Sequence, residues 1–151
     1  MILIEENRDL TTVDTDEYYL AHCISYDFAK VTGVSVELDE HHDIKNKIKE
    51  RYGDDFITRY PNMNCILSDN KVFNLIIKTD YNLEDKYRFL EESLYSMRKI
   101  LLDKDNVYII KTNKIAISKK EYSLYELDWD RVKNIITKVF QDTNVEFLVC
   151  S

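Results

Sequence analysis

Glycine is almost absent from this chain, and its shortage limits the phosphate-binding loops that the chain can form. The 151 residues include only two glycines, Gly33 and Gly53, and one proline. A glycine-rich phosphate loop needs two or three glycines within a short turn, because only glycine lets several backbone N–H groups approach a phosphate closely. Gly33 and Gly53 lie in separate segments. The sequence therefore contains neither a P-loop nor a dinucleotide-binding glycine motif.

The balance of charge argues against a nucleic-acid-binding protein. The chain has 21 basic and 28 acidic residues, which gives a formal net charge of −7. Affinity for DNA or RNA comes largely from lysine and arginine side chains that neutralise phosphates. Because 44% of the residues are hydrophobic, the chain can form one core, and we predict a single domain over residues 1–151.

The cysteines and the distribution of apolar residues are typical of an intracellular protein. No apolar run approaches the roughly 20 residues that span a bilayer. The N-terminus has no positive leader followed by an apolar stretch, so we expect no secretory signal. Cys23, Cys65 and Cys150 are odd in number and widely separated, which predicts reduced thiols rather than a disulfide framework or a zinc site. We expect a cytoplasmic or nuclear location.

Short apolar runs alternate with helical patterns along the whole chain. Asn82 and Asp128 are predicted N-caps, since each precedes apolar residues spaced three or four apart. A third helix is predicted over residues 43–52, with Gly53 at its end. Residues 68–71 predict a hairpin turn. The alternation predicts an α/β sandwich with a mixed sheet. The predicted strands are residues 1–6, 19–25, 65–67, 72–77, 107–110, 115–117 and 145–149.

Three stretches of the sequence resemble the macro domain family, whose members bind ADP-ribose. The stretches are residues 20–27, residues 75–78 with 87–94, and residues 127–133 with 139–143. The most specific feature is the helix start Leu127-Asp128-Trp129. The chain is most similar to the terminal ADP-ribose glycohydrolases, the subclass that removes ADP-ribose from glutamate side chains. The resemblance implies a three-layer α/β/α macro-domain-like sandwich with a mixed central sheet.

The same resemblance assigns two catalytic positions. The subclass uses a lysine at the end of its central strand as a nucleophile toward the anomeric carbon of ribose, and Lys78 matches that position. Such a lysine reacts only when unprotonated; the alternative is an ordinary solvent-facing lysine at a strand end. Tyr125 stands where the subclass has a catalytic aspartate. Tyrosine, with an ordinary pKa of about 10, is a poor base at neutral pH.

Both phosphate loops of the family lack most of their glycines in this chain. The first loop corresponds either to residues 30–34, which keep Gly33, or to His41-His42-Asp43 before the next helix, and the sequence leaves both registers open. The second corresponds to residues 118–125, which contain no glycine. Side chains with a Cβ obstruct the close approach of backbone N–H groups to a diphosphate. We therefore interpret the site as degenerate.

By resemblance, the ligand contacts come from three segments. Asp9, beside Leu10, would accept a hydrogen bond from the adenine amino group, although an aspartate after a strand is also ordinary turn chemistry. Lys119 and Lys120 would supply positive charge to the phosphates, or would form a solvated basic pair on a surface loop. The predicted ligand-binding residues are Asp9, Leu10, Ser25, Asp27, Gly33, Ser118, Lys119, Lys120 and Ser123.

The sequence predicts a protein that recognises ADP-ribose, a related nucleotide or an ADP-ribosylated protein, with hydrolase activity reduced or lost. Two alternatives stay open: an active ADP-ribosyl-glutamate hydrolase that uses Lys78, and a non-enzymatic interaction module whose pocket is filled by Tyr122 or Tyr125. We predict no cofactor and no metal site, because His41 and His42 diverge and no third ligand follows at helical spacing. The composition, rich in Lys, Asn, Ile, Tyr and Asp, suggests an AT-rich genome such as that of a virus or phage.

Overall fold

Six strands form one mixed sheet. A computed structural model of the chain describes residues 1–25, 33–78, 82–103 and 109–151. The strands are β1 (Ile2–Glu6), β2 (Tyr19–Ser25), β3 (Cys65–Ser68), β4 (Val72–Ile77), β5 (Lys114–Ser118) and β6 (Glu146–Cys150). Their order across the sheet is β1-β6-β5-β2-β4-β3. Neighbouring strands are parallel, except that β3 runs antiparallel to β4.

Helices cover both faces of the sheet. One face packs against α4, α5 and α6, and the other against a 3₁₀ helix and α1, α2 and α3, so that a separate apolar core lies on each side. This arrangement confirms the predicted three-layer α/β/α sandwich. The helices are the 3₁₀ helix Leu10–Thr12, α1 (Gly33–His42), α2 (Ile44–Tyr52), α3 (Phe56–Arg59), α4 (Leu83–Leu102), α5 (Lys119–Leu124) and α6 (Trp129–Phe140).

The two predicted N-caps start the two longest helices of the described chain. Asn82 Oδ1 accepts from the Asp85 amide at 2.9 Å, and Asp128 Oδ2 accepts from the Arg131 amide at 3.1 Å. Each bond satisfies one of the backbone N–H groups that a helix leaves without a partner in its first turn. The apolar stripes of α4 and α6 then pack against the sheet as predicted.

The predicted hairpin joins β3 to β4 through a left-handed turn. Asp69 and Asn70 have φ angles of 54° and 52°, and aspartate and asparagine are the residues other than glycine that adopt this region most readily. The Lys71 amide closes the turn on the Ser68 carbonyl at 3.0 Å.

The structure contains two short helices that were not predicted, residues 10–12 and 56–59, and it differs from the sequence predictions in three longer segments. Residues 33–42 and 119–124 are helical, although the first was not predicted as a helix and the second was predicted as a loop. A strand was predicted over residues 107–110; Val107 and Tyr108 lie outside the described residues, and Ile109 and Ile110 are not in a strand. Ile109 is 84% exposed, so its apolar character does not reflect a place in the sheet.

No helix within residues 1–25, 33–78, 82–103 and 109–151 combines the length and apolar character that a bilayer crossing requires.

Candidate functional site

The topology of the sheet places a candidate ligand site at the carboxyl ends of β2 and β5. These strands are neighbours, yet β2 leads into α1 on one face and β5 leads into α5 and α6 on the other. In open α/β sheets, ligands bind in the crevice outside such a switch point, because the two connections diverge and leave a space between them. The chain therefore forms a candidate site at this point.

The pairing between β2 and β5 stops before either strand ends. Their register runs only as far as Ala21 and Ile117. Beyond it, the Cys23 amide donates to Glu121 Oε1 of α5 at 2.8 Å. A side chain thus replaces the missing strand partner. We call this region the β2/β5 edge: residues 22–25 of β2, Asn74 of the neighbouring strand β4, Ser118, the first turns of α1 and α5, and Tyr125.

Glu121 is a fully buried carboxyl group at the β2/β5 edge. Its second oxygen, Oε2, and the hydroxyl of its neighbour Tyr122 have no hydrogen-bond partner among the described residues. Burial raises the pKa of Glu121 to about 8, although the Cys23 amide and the Ser35 hydroxyl oppose this rise. The carboxyl group is therefore largely protonated at neutral pH.

His22 is a second buried polar group, and it lies on β2. Its Nδ1 lies 3.2 Å from Ser35 Oγ of α1, and its Nε2 lies 2.5 Å from Asn74 Oδ1 of β4. Burial lowers the pKa of His22 to about 4, so the ring is neutral at physiological pH. His22 is therefore a hydrogen-bonded residue of the core.

Asp9 lies just beyond β1 and caps the 3₁₀ helix. Its Oδ1 accepts from the Thr11 amide at 2.9 Å and from the Thr11 hydroxyl at 2.8 Å. These two bonds lower the pKa of Asp9, and Lys120 and His41 act in the same direction. The side chain is exposed. Asp9 therefore presents a charged carboxylate within electrostatic reach of both α1 and α5.

The other predicted residues near the first loop differ in accessibility. Leu10 is buried in the core on the α1 side, and Ser25 is buried at the end of β2. Gly33 begins α1, and a Cβ placed there would meet no atom within 4 Å. Packing therefore does not require glycine at this position. Asp27 lies outside the described residues.

The predicted second phosphate loop is largely the helix α5. Ser118 ends β5 as a buried residue whose side chain does not cap the helix. Lys119, Lys120 and Ser123 line a cleft of about 310 Å³, and Ser123 Oγ donates to the Lys120 carbonyl at 2.7 Å. Leu127, Trp129 and Ser151 complete the lining. The two lysines thus lie on a helix rather than on the predicted loop.

The predicted catalytic positions are in different surroundings. Tyr125 is fully buried, and its hydroxyl donates to the Cys23 carbonyl at 3.2 Å. Lys78 follows β4 and lines a cleft of about 180 Å³ together with Asn64 and Glu92. Its Nζ lies 5.4 Å from the centre of the Phe89 ring. Tyr125 therefore belongs to the β2/β5 edge, whereas Lys78 faces the space between α4 and the residues before β3.

Within the described residues, no group of three or more His, Cys, Asp or Glu side chains is arranged to hold a metal ion. The first-turn neighbours of the site are instead hydroxyls, lysines and a protonated carboxyl group, which are poor ligands for a divalent cation.

Comparison with known proteins identifies the fold. No protein-family model matches the sequence, and no curated protein is significantly similar to it. The structure is similar to the macrodomain of Thermus aquaticus DarG, with a TM-score of 0.68 and 16% identity over 99% of this chain and 98% of that chain. The macrodomain of Mycobacterium tuberculosis DarG gives 0.70 and 12%, over 99% and 97%. The X-domain of IBV gives 0.63 and 12%, over 99% and 89%.

This chain has the macrodomain fold. Within the macrodomain fold, β2 ends at Ser25 and α1 begins at Gly33. Gly33 begins α1, whereas His41 and His42 lie at its C-terminal end; the register of the phosphate loop stays a prediction. Residues 30–32 of the predicted first loop lie outside the described residues.

Sequence reasoning did not identify Glu121 or Ser35 as residues of the site. Glu121 stands between Lys120 and Tyr122 in a segment read as a polar loop, where a glutamate is ordinarily solvated. Ser35 follows Val34 in a segment without a predicted element. The lack of glycine after β5 could have indicated the helix α5. A chain without glycine turns less readily into a tight loop at that point and can continue as a helix.

Proposed function

We propose that this chain binds ADP-ribose or a related nucleotide, free or attached to protein, at the β2/β5 edge, and that its hydrolase activity is reduced or lost. The likeness to macrodomains over 99% of the chain supports the ligand class, and the switch point between β2 and β5 supports the location. The exposed carboxylate of Asp9 supports an adenine contact, because it is an acceptor for an amino group. Lys119 and Lys120 supply positive charge on the adjacent helix.

The arrangement of charges around Asp9 favours one continuous site. Lys120 of α5 lies near enough to lower the pKa of Asp9. A nucleotide whose base contacts Asp9 would therefore bring its phosphates toward the lysines of α5. Lysines act as flexible point charges and hold phosphates with less geometric precision than a ring of backbone N–H groups. We accordingly expect weaker binding than a glycine-rich loop would provide.

The burial of Tyr125 is the main observation that supports a reduced or lost hydrolase activity. In the resembling subclass this position has an aspartate that manages protons at the sugar. Here the tyrosine hydroxyl is buried and bonded to the Cys23 carbonyl, and burial raises its pKa further above the ordinary value. It is thus neither a base nor a free donor at neutral pH.

Binding can be tested by thermal unfolding with ADP-ribose. At about 100 times its Kd, a ligand that binds only the folded state adds roughly 3 kcal/mol of stability, so the Tm should rise by several degrees. Asp9→Asn keeps an Oδ1 acceptor for Thr11 but replaces the second oxygen with a donor, and it should weaken binding about tenfold or more. Asp14→Asn changes another exposed aspartate that accepts a backbone bond from Asp16, and it should leave affinity unchanged.

Hydrolysis can be tested on a glutamate-ADP-ribosylated protein. We expect no release of ADP-ribose by the wild-type chain, and no difference between it and Lys78→Ala. Release that Lys78→Ala abolishes would instead establish an active hydrolase and contradict this part of the proposal.

A non-enzymatic interaction module is the second candidate function. The complete burial of Tyr122 and Tyr125 favours it, since both rings occupy space at the β2/β5 edge. If neither ADP-ribose nor other adenine nucleotides raise the Tm, nucleotide binding is wrong and this second function is favoured.

A further inference from the structure

The strand β1 forms one edge of the sheet, with β6 as its neighbour on the other side. The Ile2 amide donates to the Val145 carbonyl at 3.1 Å, and the Glu6 carbonyl accepts from the Ser151 amide at 3.0 Å. Alternate residues of a strand direct their backbone groups to the same side. Residues 2, 4 and 6 therefore direct theirs toward β6.

Leu3 and Glu5 consequently direct their backbone N–H and C=O groups away from the sheet. No described residue forms a hydrogen bond with these groups. We call this side of residues 2–6, with their side chains, the β1 edge. An unpaired edge is a template for a further strand, and proteins often block it with proline, lysine or a bulge. Residues 2–6 contain neither proline nor lysine, and their register with β6 is continuous.

Ile2 and Ile4 add an exposed apolar surface to the β1 edge. Ile4 aligns with Leu148, whose side chain lies in the core on the α1 side of the sheet. Ile2 shares that face with Ile4, because side chains alternate along a strand. The two isoleucines are 55% and 42% exposed, so the helices on this face leave them open. Apolar side chains beside unpaired backbone groups favour the addition of a strand.

Two copies of β1 are complementary to each other in one antiparallel register. When the two Leu3 residues lie opposite each other, they exchange both backbone hydrogen bonds. Ile2 of each copy then lies directly across from Ile4 of the other, as a close cross-strand pair. Glu5 and Glu6 lie at the outer ends of the paired segment. The acidic side chains of one copy therefore do not face those of the other.

The neighbouring registers that also pair the outward backbone groups are less favourable. Pairing Leu3 with Glu5 of the second copy places Ile2 opposite Glu6, so an apolar contact is lost at each end. Pairing the two Glu5 residues places like charges directly across from each other, which destabilises a pair of strands. The register centred on Leu3 is thus the one in which every exposed isoleucine meets another.

We propose that this chain forms a two-fold homodimer through antiparallel pairing of β1 with β1 of a second copy, with Leu3 at the two-fold axis. The pairing joins the two sheets into one. Because the strands of the second copy run in the opposite direction, the two β2/β5 edges face opposite ways. The dimer does not depend on the proposed function, since the β1 edge is separated from β2 by β6 and β5.

The molar mass in solution is the first test. One short strand from each copy buries less area than a standard interface, so we expect a reversible dimer. Light scattering should give twice the chain mass of 18.0 kDa at about 500 µM. At about 5 µM the mass should approach that of one chain. A wild-type chain that is monomeric at the higher concentration would overturn the proposal.

A matched pair of lysine variants tests whether the β1 edge forms the interface. Ile4→Lys should weaken dimerisation about tenfold or more, because the dimer contains the changed contact twice. Leu102→Lys on α4 introduces the same charge at a residue that is equally exposed, at 42%, and it should dimerise like the wild type. Equal weakening in both variants would mean that net charge, not β1, controls association, and would contradict the proposal.

Amide hydrogen exchange tests the pairing on the wild-type chain and remains informative if Ile4→Lys does not fold. The Leu3 N–H group should exchange more slowly as the protein concentration rises, because only the second copy provides its acceptor. The Ile4 N–H group, which points toward β6, should change less. A Leu3 exchange rate that does not depend on concentration would overturn the proposal.

Single cysteine substitutions test the register. Disulfide formation needs closely spaced Cα atoms, a condition that direct cross-strand neighbours meet. A mixture of the Ile2→Cys and Ile4→Cys proteins should form a cross-linked dimer under mild oxidation. The wild type, with its three native cysteines, and Ile4→Cys alone should not. Cross-linking of Ile4→Cys alone would contradict the register centred on Leu3, and a mixture without any cross-link would overturn the pairing of β1 with its copy.

Discussion

The α4/α6 layer and the β2/β5 edge belong to one sheet but are built in opposite ways. We define the α4/α6 layer as these two helices with the strand side chains beneath them. Its interior is mainly apolar, and most of its charges lie outside as pairs such as Glu84 with Arg131 and Glu91 with Lys138. The β2/β5 edge instead buries a carboxyl group, an imidazole and an amide.

This difference indicates that the α4/α6 layer contributes most to the stability of the fold, whereas the β2/β5 edge shapes the candidate site. Exposed ion pairs contribute little, so the α4/α6 layer depends on apolar packing and capping. Burying Glu121 and His22 opposes folding at the pH values where each would otherwise be charged. A macrodomain that placed apolar residues there would be more stable. We infer that these groups are kept for the geometry of the edge.

The largest expected effect lies in the α4/α6 layer. Phe140 is fully buried and meets Phe147 edge to face, with ring centres 5.0 Å apart. Phe140→Ala should lower the free energy of unfolding by about 3–5 kcal/mol because it leaves a cavity, as measured by denaturant titration. Phe140→Leu should lose much less. A loss below about 1 kcal/mol for the alanine variant would show that this layer is not the tightly packed region.

The pH dependence of stability should distinguish the β2/β5 edge from the rest of the molecule. For His22, the unfolded chain binds a proton below its ordinary pKa of 6.5, while the folded chain does so only near 4. Stability should therefore fall as the pH drops from 6.5 to 4, by up to about 3 kcal/mol from this group. NMR titration of the His22 ring measures it directly. A midpoint near 6.5 would contradict the buried neutral ring.

Glu121 acts in the opposite direction. The unfolded carboxyl group loses its proton above about 4.5, and the folded one only near 8, so stability falls as the pH rises through this range. The two slopes oppose each other between pH 4.5 and 6.5. Below this interval the loss due to His22 remains, and above it the loss due to Glu121 remains.

The smallest expected effect concerns the start of α6. Asp128→Ala removes the cap on the Arg131 amide and should cost about 1 kcal/mol in denaturant unfolding. Asp130→Ala removes a first-turn charge without a capping bond and should change stability less. Equal losses would mean that the helix dipole, rather than the cap, accounts for the effect.

The sequence predicted the α4/α6 layer well because its signals are local. Asn82 and Asp128 precede apolar stripes of regular spacing, and Asp69 and Asn70 suit the turn that the hairpin needs. Propensity, capping and burial pattern agree in these segments. The resemblance then supplied the layer order, which periodicity alone cannot give.

The β2/β5 edge was predicted poorly because its features depend on contacts distant in sequence. In α5, Tyr122 is the only apolar side chain that faces the core, so six residues give no helical period. Glu121 is buried because the pairing of β2 with β5 ends early and leaves the Cys23 amide for its side chain. The residues next to Glu121 in the sequence do not indicate this contact. Lys119 and Lys120 were predicted to lie on a loop, whereas they begin the helix α5. Their role toward a ligand stays a prediction.

The pairing of β1 with β6 has a consequence for how the chain acquires its structure. Ile2 aligns with Glu146, and the Met1 amino group donates to the Thr143 carbonyl across 142 residues. Within this sheet, β1 therefore finds its partner only after the other strands have been synthesised, and contacts of such long range slow folding. Until β6 has been made, Ile2 and Ile4 belong to a strand without a neighbour, and a nascent chain would need protection from aggregation at that segment.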